Sequence, residues 1–104
     1  MSRIRVWMFY PLVLGALMLA QAHDYVPPNG YVPDEKTAIA VAEAILIPIY
    51  GEQDVSQEKP FHAKLDAWNI WTVQGSLPRG RAGGVATIKI QRKDGRVLSV
   101  SHGR

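Results

Sequence analysis

The apolar residues of this 104-residue chain change their spacing once, near Pro60, and that change limits the fold more than any other feature. Before it, in "DEKTAIAVAEAILIPIYG", Ala38, Val41, Ala42, Ile45 and Ile49 fall on one stripe, widened by Ile39 and Leu46. Lys36, Ala40, Glu43 and Ala44 fall on the other side. This spacing gathers apolar side chains on one face of an α-helix. After Pro60, Phe61, Ala63 and Leu65 alternate with His62 and Lys64, the run Ile70 to Val73 is β-branched and aromatic, and Ala86, Ile88 and Ile90 alternate with Thr87, Lys89 and Gln91. Alternation puts one set of side chains on one face of a strand. A helix stripe and half-apolar strands hide each other when the helix lies on one sheet face. The expected fold is therefore α+β, one N-terminal helix packed on a curved antiparallel sheet of about four strands.

Local signals divide the chain further. "HDYVPPNGYVP", residues 23–33, reads as an extended leader that Tyr25 and Tyr31 can pin to the domain. Asp34 is the expected N-cap of the helix, with Glu35 in its first turn. Pro48 lacks the N–H that a helix interior needs, so the helix is expected to end or kink there, with Gly51 as C-terminal cap. "GEQDVSQEKP" then reads as a polar loop. "DAWN" leaves two registers open for the first hairpin, Leu65 opposite Ile70 or opposite Trp71. In the last hairpin, a three-residue loop with Gly95 at positive φ places Leu98 opposite Ile90, Val100 opposite Ile88 and Arg92 facing Arg96. Between the hairpins, "GSLPRGRAGGV" reads as a connection in which Gly83 and Gly84 allow a tight entry into the next strand.

The first 22 residues stand apart. Arg3 and Arg5 form a basic head, "LVLGALMLA" an apolar run, and Ala20-Gln21-Ala22 a small-x-small end. This is the layout of a secretory signal peptide cleaved after Ala22, giving a periplasmic or secreted protein with no stable membrane span after cleavage. The alternative is an uncleaved inner-membrane anchor, against which stand Pro11 and an apolar stretch shorter than the roughly 20 residues that span a bilayer. Zero cysteines exclude a lipoprotein and any disulfide. The domain is then residues 34–104. Its charge is uneven, with eight acids and three lysines in residues 23–76, but seven Lys or Arg and one Asp in residues 77–104. Either the halves neutralise each other, or a basic sheet face is left to dock an acidic partner.

No constellation for chemistry emerges. His23, His62 and His102 lack metal-ligand spacing, so no metal and no cofactor is expected. His62 alternates with apolar neighbours and should face solvent. His102 falls opposite Ala86 on the helix-covered face, a satisfied histidine at a sheet edge, while Ser99 and Ser101 fall on the other face, so no nucleophile–base pair forms. Asp54, Glu58 and Asp66 lie in loops that bring no two acids together. The glycines near Arg79 and Arg81 precede a strand and not a helix, which removes the phosphate-cradle reading, and the export signal argues against nucleic acid. The candidate partner contacts are Arg79, Arg81, Trp68, Lys89 and Gln91, since aromatic and arginine side chains dominate interface hot spots.

From Tyr31 onward the pieces "YVPDEKTAIAVAEAILIPIYG", "KPFHAKL", "WTVQGSLPRG" and "GGVATIKIQRKDGRVLSVSHG" stand together in one order. With them the chain resembles the nuclear-transport-factor-two-like (NTF2-like) fold immunity proteins of bacterial polymorphic toxin systems. The resemblance implies a non-catalytic protein that binds and neutralises a cognate protein toxin. It carries no proven functional residue, and "LDAWNIW" departs from it where a tighter glycine turn is expected. The helix followed by "IKIQRKDGRVLSV" is also similar to exported PepSY-like binding or regulatory modules, the alternative reading. A pocket isomerase is a third, for which a single helix offers little material to close a cavity.

Overall fold

The computed structural model describes residues 22–103. Helix α1 spans Glu35–Tyr50 and a short α2 spans Glu52–Gln57. Four strands follow, β1 (His62–Leu65), β2 (Ile70–Gln74), β3 (Ala86–Gln91) and β4 (Val97–His102). They form one antiparallel sheet in the order β1-β2-β3-β4, a meander with α1 on one face. The expected α+β architecture is the observed one.

Asp34 caps α1 by accepting the Thr37 N–H at 2.8 Å, and hydrogen bonding from Thr37, its side chain first and its N–H second, holds the Asp34 carboxyl below the ordinary value. The buried centre of the stripe is Ala38, Ala42 and Leu46, one residue every helical turn. Two alanines among them let the helix backbone lie close to the sheet. Ile49, expected on the stripe, is instead half exposed. The helix also runs past Pro48 to Tyr50, so of the two expected outcomes at Pro48, an end or a kink, the end does not occur. Pro48 and Ala44 both face solvent, so water can satisfy the carbonyl that a Pro48 N–H would have met. Gly51, at φ 96°, then ends α1 by donating to the Ile47 carbonyl and starts α2 by accepting from Val55.

The segment read as a polar loop, residues 51–60, thus contains α2. Its single apolar residue, Val55, is buried in the core, which fixes the helix although its other residues are polar. Phe61, Ala63 and Leu65 alternate inward as expected, and His62 faces solvent. In the first hairpin Leu65 pairs with Trp71, so Ala63 and Leu65 share the helix-covered face with Val73 and Trp71.

The last hairpin differs from expectation at its tip. Val100 does lie opposite Ile88, and His102 opposite Ala86. Val97, however, and not Leu98, lies opposite Ile90, and Leu98 is the extra residue where the register shifts. Gln91 exchanges bonds with Arg96 and Gly95, so the loop holds four residues, Arg92 to Gly95, and Arg92 does not face Arg96. Gly95 has the expected positive φ of 77°, but the bulge sits three residues later. Tertiary contacts explain the longer loop. Arg92 donates its backbone N–H to Asn69 and its side chain to the Pro33 carbonyl, and its own carbonyl accepts from Val32.

These contacts tie the leader down. Tyr31 and Val32 donate to the Lys93 and Arg92 carbonyls, Val32 is buried, and the Trp71 indole N–H donates to the Val32 carbonyl at 2.8 Å. Gly30 makes the approach possible, since a Cβ there would stand 2.3 Å from the Arg92 carbonyl oxygen and its φ is +85°. The tyrosines expected to pin the leader bond to each other instead, Tyr31 hydroxyl to Tyr25 carbonyl, and both are exposed.

Candidate functional site

Three places on this frame carry polar or aromatic groups that a partner could meet. The first is built around Glu58, just after α2. Its side chain is turned inward and the residue is 7% exposed. One carboxylate oxygen accepts the Ala86 N–H at 2.7 Å, at the start of β3. The other meets the His102 Nε2 at 2.9 Å. Gly75 leaves the room, since a Cβ there would lie 2.4 Å from the Glu58 Oε1 and 2.9 Å from its Cβ. The backbone of Glu58 also accepts from Ser76 at 2.7 Å, fastening the β2–β3 connection to the end of α2.

The protonation of His102 follows from its partners. Nδ1 lies 2.9 Å from the Gly103 carbonyl and Nε2 2.9 Å from the Glu58 carboxylate. Both partners offer acceptor oxygens, so the protonated ring, which donates from both nitrogens, satisfies both contacts, whereas a neutral ring donates to one. The Glu58 hydrogen bond, then the Gly103 bond, raises the His102 pKa above its ordinary value, with a smaller push from Asp54. The Tyr50 ring packs against it with centroids 5.2 Å apart. An imidazolium with both protons committed has no lone pair to serve as a base. This is the satisfied edge histidine expected, held by an acid that the sequence left in a loop. Beside it lies a cleft of about 230 Å³ lined by Tyr50, Asp54, Leu77, Arg81 and His102. Among the described residues no three His, Cys, Asp or Glu side chains cluster to hold a metal ion.

The second place is the turn Asp66–Asn69. The Asp66 Oδ1 accepts the backbone N–H groups of Trp68 and Ile70 at 2.8 and 3.0 Å, and Asn69 sits at φ 62°. A braced turn thus holds Trp68 outward, 82% exposed, whereas Trp71 is in the core. The third place is the sheet face away from α1, where Lys89 is exposed and Gln91 half-buried. Arg79 and Arg81 are exposed in the β2–β3 connection. Gly83 there has φ +120°, and Gly84 lines the cleft.

The expected contacts are not gathered into one patch. Trp68 lies at the end of the sheet that carries both hairpin loops, whose Asn69 and Arg92 are bonded together. Arg79 and Arg81 lie in the connection at the opposite end of β2 and β3. Lys89 and Gln91 share the open face. Glu58, which the sequence leaves in a loop, is the centre of the first place. The acids Glu52 and Asp54 directly after Gly51 are an N-terminal helix signal that could have found α2 and hence Glu58.

The described chain matches the family model described as "NTF2 fold immunity protein" over residues 37–104. The chain belongs to the NTF2 fold immunity protein family. Two Escherichia coli (strain K12) proteins are similar to this family member. "Uncharacterized protein YhhH" is 32% identical over 74 residues, covering 70% of this chain and 58% of its own length. "Uncharacterized protein YbbC" is 38% identical over 74 residues, covering 70% of this chain and 60% of its own. The chain thus spans about three fifths of the length of each relative. No solved structure matches. Among the described residues of this immunity-family chain no helix is long and apolar enough to cross a membrane.

Proposed function

We propose that this protein is a non-catalytic immunity protein that binds a cognate protein toxin outside the cytoplasm and neutralises it. The observation that carries this reading is the family match across both the helix and the whole sheet, residues 37–104. The Glu58–His102 pair fits the non-catalytic part, because each carboxylate oxygen already accepts a bond that ties the end of α2 to β3 or β4. Residues 1–22 act as a cleaved signal peptide and deliver the domain to the periplasm or beyond. They fall outside the described residues except for Ala22, so export rests on the pattern of Arg3, Arg5, the apolar run and the Ala20–Ala22 end.

Co-expression tests the role. Each toxin encoded beside the gene is directed to the periplasm of a sensitive host, with and without this chain. The expected result is survival with the full chain and loss of survival when residues 1–22 are deleted. Protection by the deleted form against a cytoplasmic toxin would refute the exported site of action. Absence of protection against every neighbouring toxin would refute the immunity role. Fractionation and N-terminal sequencing of the exported product distinguish cleavage after Ala22 from an uncleaved anchor.

A further inference from the structure

The charge asymmetry of the sequence becomes an asymmetry of layers. The helical layer carries Glu35, Glu43, Glu52 and Asp54. The two acids near the sheet ends, Asp66 and Asp94, sit in turns where each accepts backbone N–H groups. The strands of the open sheet face carry no acid among the described residues, and the acid at the face's border, Asp66, lines a cavity there with His62, Lys64, Thr72 and Gln74 while its Oδ1 is taken by two backbone N–H groups. Its register aligns Lys64, Thr72, Lys89 and Ser99 in one row across all four strands. The next row, His62, Gln74, Thr87 and Ser101, is polar and formally uncharged. On the other side Gln91 pairs with Arg96.

Among the described residues no lysine or arginine of the second half forms an ion pair with a first-half acid; His102 alone does, with Glu58. Among the described residues the ion pairs are Lys59 with Glu43 and His102 with Glu58, and neither uses Lys64, Lys89 or Arg96. Lys64 and Lys89 are separated by β2, so they stand about 10 Å apart, two strand spacings. That is close to the screening length at moderate salt, so their fields overlap over the face. Hydroxyl and amide side chains fill the space between them and can hydrogen-bond carboxylates without a desolvated charge opposing them.

We propose that this open sheet face, centred on Lys64, Thr72, Lys89 and Ser99, is the docking surface for an acidic protein partner. The proposal rests on the immunity reading in identifying that partner as the toxin. A second copy of the chain fits the face poorly, because isologous face-to-face packing brings the lysine rows of both copies together. Nucleic acid fits less well than a protein, because three cations spread over the face, with Asp66 at its border, give few phosphate contacts.

Two experiments test the surface. In the first, poly-L-glutamate is titrated into the ¹⁵N-labelled full chain. The expected result is amide shifts at Lys64, Thr72, Lys89 and Ser99 that shrink as salt rises and vanish in K64E/K89E. Shifts confined to the Arg79–Arg81 connection, no shifts, or tighter binding of a single-stranded oligonucleotide at these amides would overturn the proposal. In the second, K64E/K89E is compared with K36E/K59E, the same charge change on the helical side, in affinity for a toxin against which the wild type protects. The expected result is a loss of about tenfold or more for K64E/K89E and little change for K36E/K59E, with both variants melting as folded proteins. Equal affinity of wild type and K64E/K89E would reject the surface while leaving the toxin reading intact. Shifts on the face with poly-L-glutamate but no protection against any toxin would leave the acidic docking surface and reject the toxin.

Discussion

Replacing Glu58 by glutamine separates the charge of the buried side chain from its hydrogen bonds. With His102 protonated, one oxygen accepts from Ala86 and the other from the His102 ring, which donates from its second nitrogen to Gly103. A glutamine in the same pose still accepts from Ala86 through its carbonyl oxygen. Its amide N–H then donates to a neutral His102 Nε2, and Nδ1–H keeps its bond to Gly103. Above the titration of His102 all three bonds survive, so E58Q is expected to lie within about 1 kcal/mol of wild type. Alanine leaves the Ala86 N–H without a partner, at about 1–3 kcal/mol for a buried donor. It also removes the His102 pair, worth at most about 1 kcal/mol because 35% of the histidine side chain is exposed. E58A is thus expected to lose about 3 kcal/mol, which for a domain this small is a fall of roughly 12–24 °C in Tm. The pH dependence gives the sharper readout. His102 has a raised pKa in the folded state, so its stabilising contribution is fully present below its unfolded value of 6.5 and is lost as pH rises through the folded value. Urea melts of wild type should therefore weaken across that window above 6.5. In E58Q this loss should vanish, and the variant should be destabilised on the acid side, where a protonated ring faces an amide N–H. An E58Q profile parallel to wild type, or an E58A loss below about 0.5 kcal/mol, would refute the assignment of the imidazolium pair.

Other substitutions probe the remaining joints. G75A forces a Cβ to within 2.4 Å of the Glu58 Oε1, so it should lower Tm markedly and also abolish the His102 pH dependence, read in the same melts. G30A should free the leader from the Arg92 carbonyl, which limited proteolysis would report as new cleavage between residues 23 and 33, with the β-sheet circular dichroism retained. W71F removes the donor to the Val32 carbonyl and should cost about 1–3 kcal/mol in urea denaturation. W68A, at an 82% exposed position, should stay within about 0.5 kcal/mol of wild type, and a larger loss would mean that Trp68 packs against something.

The sequence by itself determined the layers of this protein. The period change near Pro60, the Asp34 cap and the alternations of β1 and β3 each act between residues a few positions apart, so they can be read without knowing what lies across the core. The same holds for the inward side of Val100 and His102, which a one-residue slip would have reversed. The family role was legible as a resemblance because the motif order spans nearly the whole domain. Tertiary structure alone decided what depended on distant partners. Val55 turned a polar segment into α2 by reaching the core, and solvent around Pro48 let α1 continue to Tyr50. Arg92 lengthened the last loop because Asn69, Val32 and Pro33 all needed it, which moved the bulge to Leu98. Glu58 became the centre of a site because Gly75, Ala86 and His102, 17 to 44 positions away, left one buried place that a carboxylate could fill. Local pattern fixes which face each residue shows, whereas the energy of a buried charge depends on neighbours that only folding brings to it.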